Sequence, residues 1–122
     1  MGVNEMKENK YLEMLLNLAR EPEQSGLQQG TLKILRFYYD SKLRNHEFLV
    51  IDGIIWESEM DRAIETLKNS GIEKFIYTDS GSGALDAIIA FVEAGFKVVE
   101  TKEVAGLWED STPDKGLIFQ IK

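Results

Sequence analysis

Two aspartates stand where chemistry is most readily placed. Asp52 follows the apolar run Phe48-Leu49-Val50-Ile51, and Asp79 follows Phe75-Ile76-Tyr77-Thr78. If both runs are neighbouring parallel strands, the two carboxylates lie at the carboxyl edge of a sheet, where open α/β sheets take ligands. There they could share a Mg²⁺ ion or act as an acid/base pair. Aspartate is also common after strands because its side chain turns the chain, and turn chemistry is the favoured reading of the pair. Beyond Asp79 comes Ser80-Gly81-Ser82-Gly83, just ahead of a helical run. With Thr78, this loop offers hydroxyls, free backbone N–H groups and a helix N-terminus, which together favour a phosphate or carboxylate. It lacks the third glycine of a dinucleotide fingerprint and the Gly-Lys-Ser/Thr of a P-loop, and Asp79 would repel a phosphate. The plainer reading is a helix start capped by Ser80 or Ser82. The candidate ligand-binding set is therefore Asp52, Thr78, Asp79, Ser80, Gly81, Ser82 and Gly83.

No other constellation is complete. His46 is the one histidine and precedes the first strand, so neither a Ser-His-Asp triad nor a histidine metal cluster has its parts. With no cysteine, disulfides, thiol chemistry and cysteine zinc sites are excluded. A strand followed by Asp-Gly suggests a haloacid dehalogenase phosphatase, but the nucleophile's position is Val50, and no aspartyl phosphate can form there. A two-component receiver domain fails as well, since no acidic pair closes the first strand. Trp56, Trp108, Tyr38 and Tyr39 read as packing residues. Neither a catalytic residue nor a metal ligand is assigned, and no cofactor is implied.

The composition narrows the field further. At 122 residues the chain is expected to form a single domain over 1–122. Its net charge of −7 argues against a nucleic-acid backbone as partner. The 21 acidic residues are interspersed with 14 basic ones, which describes a solvated surface. No apolar run is long enough to span a membrane, and residues 1–10 lack the apolar segment of a secretory signal. The cytoplasm is the expected compartment.

The elements that must position these residues follow from periodicity. Asn4 is a candidate cap for a first helix with the stripe Leu12, Leu15, Leu16 and Ala19, ended by Pro22. Ser25 is a candidate cap for a second helix reaching Arg44, with Leu32, Leu35, Tyr39 and Leu43 on one face. These make an N-terminal helical part over 4–44. Residues 48–56 form either one strand ending near Asp52 or a hairpin turning on Asp52-Gly53, and the grammar that follows favours the strand. Ser58 and Asp61 resemble a capping box for a helix over 58–70 with Met60, Ala63, Ile64 and Leu67 inward. A second helix over 83–94 shows Leu85, Ile88, Ile89 and Val92 at helical spacing. Gly71 and Gly95 each stop a helix before the next hydrophobe. Strand, Asp, turn, helix, Gly thus occurs twice, which describes two right-handed βαβ crossovers. A third strand over 97–104 has Val98 and Val99 as its core candidates. After a turn at Ser111-Thr112-Pro113-Asp114, a last strand alternates Leu117, Phe119 and Ile121 and should pair antiparallel with the third. The expected fold is α/β: a two- or three-layer sandwich with a mostly parallel sheet of about four strands, β-α-β-α-β-β over 47–122, and two N-terminal helices.

Residues 48–104 also carry Ile-Ile-Trp-Glu (54–57), Ser-Gly-Ile-Glu-Lys-Phe (70–75), the Ser-rich loop 79–83 and Glu-Ala-Gly-Phe-Lys-Val (93–98). In these the chain resembles a family of small uncharacterised proteins of Gram-positive gut bacteria and their mobile elements. The resemblance leaves out the helices at 4–44. It implies an accessory protein rather than a metabolic enzyme. The expectation is thus a non-enzymatic interaction protein with a protein partner. The alternatives are a small-molecule, phosphate or nucleotide binder using 78–83, and a Mg²⁺-dependent enzyme using Asp52 and Asp79.

Overall fold

The structure, a computed structural model, describes residues 9–20, 26–79, 81–104 and 114–121. The elements follow in the order α1 (Lys10–Ala19), α2 (Gln29–Leu43), β1 (Leu49–Ile51), α3 (Glu57–Asn69), β2 (Lys74–Tyr77), α4 (Ala84–Glu93), β3 (Phe96–Val104) and β4 (Asp114–Ile121). The repeated grammar is real. Gly71 and Gly95 follow α3 and α4 with φ of +74° and +104°, the left-handed conformation in which helices commonly end. Asp52-Gly53 is no hairpin. β1 stops at Ile51 and pairs in parallel with β2, from Leu49↔Phe75 to Ile51↔Tyr77.

The sheet is mixed rather than mostly parallel. Its order is β1-β2-β4-β3, and β4 runs antiparallel to both neighbours. β3 does run in the direction of β1 and β2, as two crossovers require, but α4 carries it one place too far to touch β2. β4 returns from β3 and fills the gap, with Phe75↔Phe119 on one side and Val98↔Phe119 on the other. Its consecutive Ile118 and Phe119 are both buried, one on each face. That is the pattern of a central strand, and simple alternation does not capture it.

One face of the sheet shares a core with all four helices. Leu12 of α1, Ile34 of α2, Leu67 of α3 and Phe91 of α4 join Leu49, Phe75, Phe96 and Phe119. Phe75 sits at its centre, with ring centroids 4.9 Å from Phe91, 5.2 Å from Phe96 and 5.3 Å from Phe119. Aromatic pairs at such spacings add to area burial. The opposite face holds a smaller cluster of Val50, Ile76, Val104 and Ile118. Lys102 of β3 reaches Glu47 at 3.2 Å, although β3 and β1 are the two outer strands, so the β3–β4 hairpin bends across this second face.

Several expected faces are rotated. In α2, Tyr39 and Leu43 are exposed, while Ile34, Phe37, Tyr38 and Ser41 are buried. The reason is that α2 covers both α3 and the edge of β1. Gly30 presses against α3, and Ser41 Oγ accepts the edge N–H of Val50 at 2.9 Å. In α4, Leu85, Ile89 and Val92 are 68%, 45% and 49% exposed, and the inward residues are Ala87 and Phe91, flanked by Ala84 and Ile88. In β3, Val98 and Val99 are exposed and only the end residues Phe96 and Val104 are buried, because β3 is an edge strand with a bulge between Val98 and Glu100.

The first described helix begins at Lys10. Asn9 is its cap, accepting the Leu12 N–H through Oδ1 at 3.0 Å. Asn9 also donates from Nδ2 to the Ser70 carbonyl, and its backbone N–H donates to Tyr38 Oη. One residue thereby ties α1 to α2 and to the end of α3. Pro22, Ser25, Trp108 and the turn at 111–113 lie outside the described residues, as does Asn4. No helix among the described residues is long and apolar enough to cross a membrane.

Candidate functional site

Chain direction sets the site. β1 and β2 end side by side, and the Thr78 N–H donates to the Ile51 carbonyl at 3.0 Å. From those ends the chain enters α3 through 54–56 and α4 through 81–83. The two helices diverge and leave a cavity of about 350 Å³ between them.

Its floor is apolar: Ile55, Met60, Tyr77 and Ala87, all buried. Among the described residues its charged lining consists of Glu57, Asp61, Asp79 and Asp86, with no lysine, arginine or histidine. Trp56 stands at the rim, 56% exposed. Its position is fixed from below. Glu59 Oε1 accepts the Trp56 N–H at 2.9 Å, and the Glu59 N–H donates to the Trp56 carbonyl at 2.8 Å. Lys33 of α2 holds the same segment by donating to the Ile54 carbonyl at 2.8 Å, with Glu59 beside it at 3.6 Å. The reciprocal cap is thus Trp56 with Glu59, in place of Ser58 with Asp61, and it leaves Asp61 free to line the cavity.

The loop at 79–83 is built around Asp79. Its carboxylate accepts the Gly81 N–H and the Tyr77 hydroxyl, each at 3.3 Å. An amide that could have met an anion therefore already faces a carboxylate. Gly83 caps α4 with φ of +88°, and no side chain makes a capping bond there, which removes the expected capping role of Ser82. Ser80 lies outside the described residues.

Burial, and secondly the negative charge of Asp79, push the Tyr77 hydroxyl from the ordinary 10.0 up to about 12. The sign of the linkage follows: a pKa raised on folding stabilises fully below the unfolded value and ceases to stabilise as pH rises through the folded one. Stability is expected to fall between pH 10 and about 12, and Tyr77→Phe should flatten that fall. Urea midpoints of both proteins across this range check it, and equal slopes would refute it.

Asp52 and Asp79 both follow the carboxyl ends of the paired parallel strands β1 and β2, but they line different cavities. Asp52 pairs with Arg44 at 3.6 Å and lines a separate cavity of about 280 Å³ against Lys33 and Arg36. No group of three or more His, Asp or Glu residues among those described could hold a metal. Each of the two aspartates already has partners of its own, Arg44 for Asp52 and Tyr77 with Gly81 for Asp79. Thr78, Gly81 and Asp79 also border a shallow groove between α4 and β4, with Leu85, Ile88 and Lys115. Burial, and secondly the charge of Arg44, hold the His46 imidazole below its usual value while Asp52 acts in the opposite sense, and the His46 backbone N–H donates to the Ser41 carbonyl. The sequence reading missed Trp56, Glu57, Asp61 and Asp86 as site residues. Glu57 and Asp86 read as ordinary first-turn charge that suits a helix N-terminus, Asp61 as half of a capping box, and Trp56 as a packing residue.

Residues 33–115 match the model of a family described as a domain of unknown function (DUF7698). The match reaches back to Lys33 and so takes in most of α2, beyond the 48–104 of the resemblance. No curated protein and no solved structure matches the chain.

Proposed function

The chain belongs to this family of domains of unknown function, and we propose that it acts by binding rather than by turnover, holding a small organic cation in the cavity between α3 and α4. The observation that carries the reading is the single sign of the lining charges, Glu57, Asp61, Asp79 and Asp86, over an apolar floor. A cleft lined by one sign of charge focuses its field on the opposite sign. An ammonium or guanidinium group would meet those carboxylates, and Trp56 offers a ring face for cation–π contact. The ligand's carbon skeleton would lie on Ile55, Met60 and Ala87, as in most small-molecule sites.

The same charges weigh against the phosphate or nucleotide reading of 78–83. Binding without turnover is supported by Tyr77, whose hydroxyl is held protonated and bonded to Asp79. An accessory role in the cytoplasm fits this reading and the resemblance to small proteins of bacterial mobile elements.

Thermal shift tests it. Arginine amide, a polyamine and choline are to be compared with inorganic phosphate and a nucleotide. A ligand that binds only the folded state raises the melting temperature by mass action, so a shift with the cations alone is expected. Asp79→Asn and Asp86→Asn should each weaken the effective cation by about tenfold, a loss of ~1.4 kcal/mol. Stabilisation by phosphate and by none of the cations would reverse the reading.

A further inference from the structure

Among the described residues β3 is an outer strand with no neighbour on its far side, and every residue from Lys97 to Glu103 is exposed. An open edge is a template for another strand, and the composition of this one selects its partner. We propose that β3 pairs antiparallel with β3 of a second copy of this chain, about a two-fold axis through Thr101, to give one eight-stranded sheet.

The register follows from symmetry and charge. In a continuous sheet with the helices on one side, residues directly opposite each other share a face. A two-fold axis normal to the sheet must then pass through a residue and not between two. An axis at Glu100 sets two glutamates opposite each other, and one at Lys102 sets two lysines. Val99 sits in the bulge between Val98 and Glu100, where the ladder is interrupted. Only the axis at Thr101 opposes Glu100 to Lys102, and it does so twice. Glu100 and Lys102 lie opposite Ile118 and Gly116 on β4 and so share the face away from the helices. Opposite charges and Thr–Thr pairs directly across strands are both stabilising. Lys102 also pairs with Glu47 of its own chain, at a contact where both side chains are 41% exposed, so its ammonium remains open to a second carboxylate.

Apolar surface adjoins this edge on the helix side. Val98 faces that side, opposite Phe119, and α4 packs beside it with Leu85, Ile89 and Val92 uncovered. A stable interface takes roughly 800 Å² from each partner, and these aliphatic side chains extend the strand contact toward that size.

Light scattering on the eluting protein tests the proposal, with circular dichroism confirming that each variant is folded. The wild type is expected at twice the mass of one chain. Glu100→Lys, which sets lysine against lysine at both symmetric positions, should elute as a single chain, and so should Thr101→Lys, which sets two lysines on the axis. Combining Glu100→Lys with Lys102→Glu should restore the doubled mass. A wild type with the mass of one chain at every soluble concentration overturns the proposal, as does a dimer that both single variants leave intact. A double exchange that stays monomeric overturns the register.

Discussion

Phe91→Ala is expected to lower the unfolding free energy by about 3–5 kcal/mol, the usual cost of truncating a buried aromatic residue. The ring is fully buried, and its centroid lies 4.9 Å from Phe75, 5.2 Å from Phe119 and 5.7 Å from Tyr77. Removing it strips a contact from four other rings at once, Phe96 included at 6.3 Å, and strand-borne rings cannot collapse far into the space. Domains of this size are stable by only about 5–15 kcal/mol, so one substitution would consume a large share. Ile89→Ala, on the exposed side of the same helix, should stay within about 0.5 kcal/mol. Urea midpoints at constant slope compare the two. Equal losses would mean that α4 is rotated from the phase described.

Gly30→Ala is expected to destabilise, against its helix propensity. In an isolated helix, alanine is better than glycine by up to about 1 kcal/mol. Here an added Cβ would sit 2.1 Å from the Glu59 carbonyl oxygen and 2.8 Å from the Ala63 nitrogen. Both are backbone atoms of α3 and cannot rotate away, so the helices must separate. Overpacking of this kind costs about 1–3 kcal/mol and sometimes more, which exceeds the propensity gain. Separation would also strain the buried hydroxyl pair of Thr31 and Thr66, at 2.9 Å between the same two helices. A lower melting temperature is expected, and Gly30→Val should lower it further. A raised one for Gly30→Ala would show that α2 and α3 pack less closely than described.

Local grammar was legible in the sequence because its causes are local. Gly71 and Gly95 stop their helices through their own φ angles, and α3 buries Met60, Ala63 and Leu67 as its spacing suggests. The phase of α4 was not legible. Leu85, Ile88, Ile89 and Val92 keep helical spacing, but so do Ala84, Ala87, Ile88 and Phe91. A helix apolar over so much of its circumference does not name its buried side, and hydrophobicity favours the larger aliphatic set. Burial went instead to the face where small Ala87 lets the backbone approach and Phe91 fills the sheet's aromatic cluster. The position of β4 was hidden for a different reason: pairing with β2 depends on how far α4 carries the chain, which no short pattern encodes. The same holds for the site. Asp79, Ser82 and Gly83 of the expected loop line the cavity, but its acidic wall required Asp61 and Asp86 from separate helices to face each other.

The insertion of β4 between β2 and β3 has a consequence for synthesis. Of the described strands, β4, one of the two inner ones, is made last. A nascent chain that has emerged as far as Val104 holds β1, β2 and β3 but cannot join the last two. The inner edge of β2, with Phe75, Ile76 and Tyr77, then stays unpaired until β4 leaves the ribosome. An apolar edge exposed in this way is prone to mispairing with other chains. Ribosomes stalled before residue 114 should therefore carry chains more prone to chaperone capture than ribosomes stalled on a linker fused after Lys122 that lets β4 emerge.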